Sequence, residues 1–227
     1  MILTGHQPQF LGGYCGYIEK IASADVYIYM DEVEFSKNDF VNRNRIKTNQ
    51  GEKWLTVPIL YQGHAKIKDI QIDTSKRWQK KHLESIRQAY SKTPFYKQYE
   101  PFLSDLYTRP WDLLADLNLH ILEWILDELG VTTKIIKMSD RNFQGTKSDL
   151  ILDMCLQLQA DYFIFGAQGR DYAKPVDFHR AGISIEFQEF IHPEYVQPHG
   201  NFLPYMAVLD IMFQKGKNSL DVIRGTK

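Results

Sequence analysis

Cysteine is scarce in this sequence, and no apolar run approaches the length of a membrane span. The two cysteines, Cys15 and Cys155, lie far apart and form no CxxC pair, which favours a reduced, cytoplasmic setting. The amino terminus lacks the charged and apolar regions of a secretory signal. We therefore expect a soluble cytoplasmic protein without membrane insertion, and its 227 residues suffice for one well-buried domain.

An excess of charge of either sign is also missing. The chain carries 27 basic and 28 acidic residues, so its overall field attracts neither nucleic acid nor a membrane surface. An anionic small-molecule ligand would have to be bound by a local group of basic residues.

Several standard motifs are absent. There is no GxGxxG, HExxH or GxSxG sequence, and Gly145-Thr146-Lys147-Ser148 lacks the upstream glycine of a P-loop. His192 and His199 share a loop without a further ligand at metal spacing, so we predict no metal site. The sequence points to no particular cofactor. Cys15 precedes a predicted helix and could act as a nucleophile, although a lone cysteine more often serves packing.

Alternating strands and helices dominate what is present. An apolar start (residues 1–4), a helix from Tyr17 and an apolar run from Val26 form a compact βαβ unit, and a second buried strand ends at Gly166. These elements predict an α/β fold with three layers and a mostly parallel sheet, Rossmann-like or nucleotidylyltransferase-like. The apolar start should be the central strand.

A different pattern interrupts this rhythm. Residues 44–58 predict an antiparallel hairpin around an Asn49-Gln50-Gly51 turn, with Trp54 buried, and charged amphipathic helices follow. We expect one α/β domain over residues 1–227, with the hairpin and helices of about 42–110 as an insertion. The last helix is predicted over Tyr205 to Gln214, and Ser148 as a helix N-cap.

Polar clusters follow three predicted strands or turns. The first contains His6, Gln7 and Lys20; the second contains Asn42, Arg43, Asn44 and Arg45; the third contains Gly169, Arg170 and Tyr172. His192, Tyr195 and Gln197 lie in a loop that could cover the same region. Each cluster could equally be an ordinary loop or a solvated hairpin. Because carboxyl ends of parallel strands meet at one sheet edge, we expect His6, Arg43 and Arg170 to line one crevice.

The same residues carry a family resemblance. The stretches Gly5-His6-Gln7-Pro8, Asn42-Arg43-Asn44-Arg45, Trp54-Leu55-Thr56-Val57-Pro58 and His192-Pro193-Glu194-Tyr195 resemble the motifs of the WbqC-like protein family. The resemblance extends over nearly the whole chain. It departs at Gly12-Gly13, where the family usually has Pro-Trp.

The resemblance implies a place in the synthesis of O-antigen or another surface polysaccharide. Our leading hypothesis is a transferase that acylates or aminoacylates a nucleotide-activated amino sugar, with an acyl donor or carrier protein as partner; homo-oligomers are compatible with it. In this hypothesis His6 is the general base, assisted by Gln7 and Lys20.

The remaining predicted site residues would bind substrate. Arg43 and Arg45 would hold a diphosphate oriented by Asn42 and Asn44. Gly169 with Arg170 would face developing negative charge or a second phosphate. Two alternatives remain open: a nucleotidylyltransferase acting on a sugar phosphate, and a non-catalytic binding subunit. A deep polar crevice containing His6 would favour an enzyme.

Overall fold

The computed structural model describes residues 1–61 and 63–225. Its centre is a five-stranded sheet in which every pair of neighbouring strands is parallel. The strands are β1 (Ile2–His6), β2 (Val26–Tyr29), β7 (Lys134–Lys137), β8 (Tyr162–Phe165) and β9 (Ser184–Phe187). Their order is β7-β2-β1-β8-β9, so the amino-terminal strand is central, as its apolar sequence predicts.

The strand order reverses direction at β1. From β1 the chain builds outward through β2 and β7, and it then returns to the other side of β1 for β8 and β9. Such a reversal is the topological switch point at which open α/β sheets leave a crevice beyond the strand ends. The crevice in this chain lies beyond β1 and β8.

Helices cover both faces of the sheet, because alternate residues of each strand point to opposite sides. Tyr27 and Tyr29 of β2 belong to a large core, and Val26 and Ile28 belong to a smaller one. The helices that contribute to the large core are α1 (Cys15–Ala22), α2 (Trp78–Tyr90), α3 (Tyr96–Leu106), α4 (Leu114–Glu128), α7 (Leu209–Lys215) and α8 (Ser219–Arg224). Helices α5 (Lys147–Leu158) and α6 (Pro175–Arg180) pack against the other face. This is the predicted three-layer α/β fold.

The segment between β2 and β7 departs from the parallel rhythm. Strands β3 (Arg43–Thr48) and β4 (Gly51–Thr56) form the predicted antiparallel hairpin, with Arg45 opposite Trp54. A second short antiparallel pair follows, β5 (Ile59–Leu60) with β6 (Gln71–Ile72). The predicted burial of Trp54 is wrong: it is 39% exposed, because its indole stacks beneath the Arg43 guanidinium on the outer face of the hairpin.

Two local predictions also fail, and one helix was not predicted. The last long helix begins at Leu209, and Tyr205 cannot be helical because its φ is +60°. Ser148 lies inside α5, where its hydroxyl accepts a hydrogen bond from the Lys174 backbone N–H. Helix α8 has no counterpart in the prediction. In the described part of the chain, no helix is long and apolar enough to cross a membrane.

Candidate functional site

A cleft of about 720 Å³ opens at the switch point between β1 and β8. Five of the predicted site residues line it, and they come from three separate parts of the chain: His6, Gln7, Lys20, Gly169 and Tyr172. The first and third polar clusters of the sequence therefore meet, because β1 and β8 are parallel neighbours whose carboxyl ends share one edge.

His6 is the last residue of β1, and a hydrogen bond to the main chain fixes its imidazole ring. Its Nδ1 lies 2.8 Å from the Gln7 carbonyl oxygen, so the neutral ring donates from Nδ1 and leaves Nε2 as the acceptor. The edge of Tyr17 packs against the imidazole, with ring centroids 5.3 Å apart. Burial, followed by the positive charge of Lys20, lowers the pKa of His6 to about 4. His6 is therefore unprotonated at neutral pH.

Lys20 lies on α1, on the side that faces the sheet. It is 2% exposed, and its Nζ donates one hydrogen bond of 3.2 Å to the Gly5 carbonyl oxygen at the end of β1. Burial lowers the pKa of Lys20 to about 8. Among the described residues that line the cleft, Lys20 is the one lysine or arginine.

Aromatic rings form the rim of the cleft. Tyr14 contacts Phe190 and Tyr205, with centroid distances of 6.1 Å and 5.7 Å, and Phe40 lines the opposite wall. The amide of Gln7 donates to Asp39, 2.5 Å away, which ties the end of β1 to the loop that carries Phe40. A planar ligand group could stack on these rings.

The glycine loop between β1 and α1 packs behind two residues that line the cleft, Gln9 and Tyr17. Gly13 has a φ of +63°, and a Cβ there would lie 2.3 Å from the Gln9 side-chain oxygen. A tryptophan at this position would collide with both Gln9 and Tyr17. The loop as it packs in this chain therefore leaves no room for the tryptophan that the WbqC-like family usually has here.

The second predicted cluster is divided between two faces of β3. Asn42 and Asn44 point inward, where the Asn42 amide donates to the Val57 carbonyl and the Asn44 amide donates to the carbonyls of Phe10 and Gly13. Both asparagines therefore stabilise backbone.

The side chains of the two arginines in that cluster lie on the outer face of the hairpin. Arg43 donates to the Asn38 carbonyl and stacks on Trp54, and Arg45 pairs with Glu52 at 2.8 Å. Neither arginine is among the described residues that line the cleft. Arg45 nevertheless supports the rim, because it donates to the Tyr205 carbonyl at 3.2 Å.

The turn after β8 is also divided. Gly169 packs against Phe165, where an added Cβ would lie 2.6 Å from the Phe165 Cβ, so a side chain would push the turn away. Arg170 points outward, pairs with Glu189 at 2.6 Å and stacks on Phe187. The expected meeting of His6, Arg43 and Arg170 in one crevice is therefore wrong, because both arginines are held by partners on the protein surface.

The loop at 192–197 anchors the carboxyl-terminal part of the chain. Tyr195 and Gln197 donate to the buried carboxylate of Asp210 at 2.7 Å and 3.0 Å, and Tyr90 donates to its other oxygen. Burial raises the pKa of Asp210. His192 bonds the Pro193 carbonyl and packs against four aromatic rings, those of Phe190, Tyr195, Phe202 and Tyr205. Of the described residues that line the cleft, none is His192, Tyr195 or Gln197.

Two other chemical possibilities gain no support. Cys15 is fully buried, and burial raises the pKa of its thiol to about 12, which removes the thiolate that a nucleophile needs. Within residues 1–61 and 63–225, no three His, Cys, Asp or Glu side chains come together as metal ligands would.

Among the described residues of the cleft that were not predicted from the sequence are Gln9, Tyr14, Asp39 and Phe190. Gln9 and Tyr14 flank the glycine loop and could have been inferred from it. Asp39 and Phe190 carry no local signal, because their place depends on contacts with distant parts of the chain.

Comparison with known proteins gives matches over nearly the whole sequence. Over 213 residues the chain is 30% identical to the uncharacterized protein Rv1507c of Mycobacterium tuberculosis, and the match covers 92% of each chain. The sequence also matches the WbqC-like protein family over residues 7–222, from the end of β1 to α8. The protein is therefore a member of the WbqC-like protein family.

Proposed function

We propose that this protein is a transferase that acylates or aminoacylates the amine of a nucleotide-activated amino sugar used for a surface polysaccharide. The observation that supports this is the convergence of His6, Lys20 and the turn after β8 in one cleft at the switch point. A polar cleft that contains His6 and Lys20 favours an enzyme over a binding subunit.

In the proposed step, the amine nitrogen of the sugar attacks the carbonyl carbon of an acyl or aminoacyl thioester. The C–N bond forms, the C–S bond breaks, and Nε2 of His6 takes the proton that the amine loses. The leaving thiolate takes up that proton to give a free thiol. The rings of Tyr14, Phe190 and Tyr205 supply surfaces on which a nucleotide base can stack.

The experiment is incubation with a set of nucleoside diphosphate amino sugars and acyl or aminoacyl thioesters, followed by mass spectrometry of the sugar. We expect a mass gain of one acyl or aminoacyl group with the wild-type protein. The gain should be lost with His6→Ala and kept with His179→Ala, a matched change at an exposed histidine on α6.

Two results would contradict the proposal. A fully active His6→Ala protein would remove His6 as the general base. If nucleotide sugars bind but no thioester is consumed under any condition, the non-catalytic alternative replaces the transferase. Binding is read from thermal unfolding, since a ligand at a hundred times its dissociation constant stabilises a protein by about 2.7 kcal/mol.

A further inference from the structure

Of the lysines in residues 1–61 and 63–225, two are almost completely buried, and their surroundings differ. Lys47 is 1% exposed; its ammonium donates to the backbone carbonyls of Gly200 and Asn201, and the carboxylate of Asp210 adds favourable charge. Lys20 is 2% exposed, yet among the described residues it has one hydrogen bond and no carboxylate within ion-pair distance. Lys47 is satisfied by the fold, and Lys20 is not.

The Glu19 carboxylate, next to Lys20 in sequence, adds favourable charge but forms no ion pair with the ammonium, and its oxygens are used elsewhere. Glu19 accepts hydrogen bonds from the Ser23 hydroxyl and from the Gln188 amide. His6, from β1, is neutral and adds no negative charge. An ammonium buried without an ion-pair partner destabilises a folded protein. Such a group at the floor of a cleft therefore points to a ligand that brings the negative charge.

The space next to the ammonium is kept open by a glycine. A Cβ added to Gly166, the first residue after β8, would lie 3.5 Å from Nζ of Lys20. Gly166 has a φ of −69°, which any residue adopts, so backbone conformation does not require glycine there. The absence of a side chain at Gly166 leaves access to Nζ from the end of β8.

We infer that Lys20, with the open position at Gly166, forms a subsite for one oxyanion group of the ligand, a phosphate or a carboxylate. The inference rests on the proposed function only for the identity of this group, which in a nucleotide sugar is a phosphate. The subsite binds through the ammonium, whose two remaining hydrogens are available to the oxyanion.

The test measures binding of inorganic phosphate, pyrophosphate and acetate by calorimetry and by thermal unfolding, against chloride at equal ionic strength. The wild-type protein should bind phosphate or pyrophosphate if the group is a phosphate, and acetate best if it is a carboxylate. In Lys20→Met, binding should weaken by about tenfold to a hundredfold, as expected for loss of a charged hydrogen-bonding partner.

Stability separates this role from a structural one. Lys20→Met removes a buried charge without an ion-pair partner together with a single hydrogen bond of 3.2 Å to the Gly5 carbonyl, so the melting temperature without ligand should stay equal or rise. Lys47→Met should lower it, because two carbonyls then lose their donor. Gly166→Ala gives a further variant that should fold, since its methyl group makes ordinary contacts, and it should weaken oxyanion binding without changing the charge.

The outcomes are distinct from those of the transferase test. Unchanged oxyanion binding in Lys20→Met overturns the subsite, and so does a large loss of melting temperature in that variant. If phosphate binds through Lys20 but no nucleotide sugar is bound or modified, the transferase proposal fails and the subsite stands. If nucleotide sugars are modified equally well by Lys20→Met, the subsite fails and the transferase proposal stands.

Discussion

Replacement of Asn44 by alanine tests whether this asparagine serves the fold or a ligand. Its side chain is 0% exposed and makes three hydrogen bonds: the amide donates to the carbonyls of Phe10 and Gly13 at 2.7 Å and 3.0 Å, and its oxygen accepts from the Arg45 N–H at 2.8 Å. At about 1 kcal/mol for each bond, Asn44→Ala should destabilise the protein by about 3 kcal/mol. For a chain of this size the melting temperature should fall by about 6–12 °C.

Calorimetry measures this loss directly, with phosphate binding measured on the same samples below the transition. The control is Asn201→Ala, at an exposed position, which should melt within about 1 °C of the wild type. Asn44→Asp should be at least as destabilising as Asn44→Ala, because a carboxylate would face the two carbonyl oxygens. An Asn44→Ala protein that melts like the wild type but no longer binds ligand would refute the structural role and restore Asn44 to the binding site.

Two further predictions concern other buried polar groups. Tyr195→Phe removes one of the hydrogen bonds to Asp210, so it should lower the free energy of unfolding in urea by about 1.5–3 kcal/mol while phosphate affinity stays unchanged; lost affinity with intact stability would place Tyr195 in the site. Burial lowers the pKa of His82 to about 4, below its unfolded value near 6.5. The contribution of the neutral ring to the free energy of unfolding is therefore fully present above pH 6.5 and is lost as the pH falls toward 4. In His82→Phe, the decrease in the free energy of unfolding between pH 7 and pH 4, measured by urea unfolding, should therefore be smaller by about 3 kcal/mol. Parallel plots of this free energy against pH for the two proteins would contradict the prediction.

The sheet could be predicted from the sequence because its strongest signals are local. The apolar starts of β1 and β8, each followed by a glycine and polar residues, mark buried strands that end at a sheet edge. Parallel pairing then brings His6 and Gly169 to the same place. Only the direction of the chain and the general rules for parallel sheets are needed for that step.

The prediction for residues 42–45 failed although the information was present. In a strand, successive side chains point to opposite faces. The sequence Asn-Arg-Asn-Arg in the predicted hairpin therefore separates the two asparagines from the two arginines, and all four cannot bind one diphosphate. The structure follows this alternation: Asn44 is fully buried, and Arg43 stacks on the exposed Trp54.

The roles of the two buried lysines could not have been predicted in this way. Lys20 follows Glu19 and Lys47 follows Ile46, but neither neighbour shows whether the ammonium finds a partner in the fold. Lys47 is satisfied by carbonyls of Gly200 and Asn201, more than 150 residues away, and Lys20 faces Gly166 at a similar separation. Whether a buried charge has a partner is decided by such long-range packing. The functional signal of Lys20 therefore exists only in the folded chain, where a buried ammonium without an ion-pair partner lies beside the unprotonated imidazole of His6.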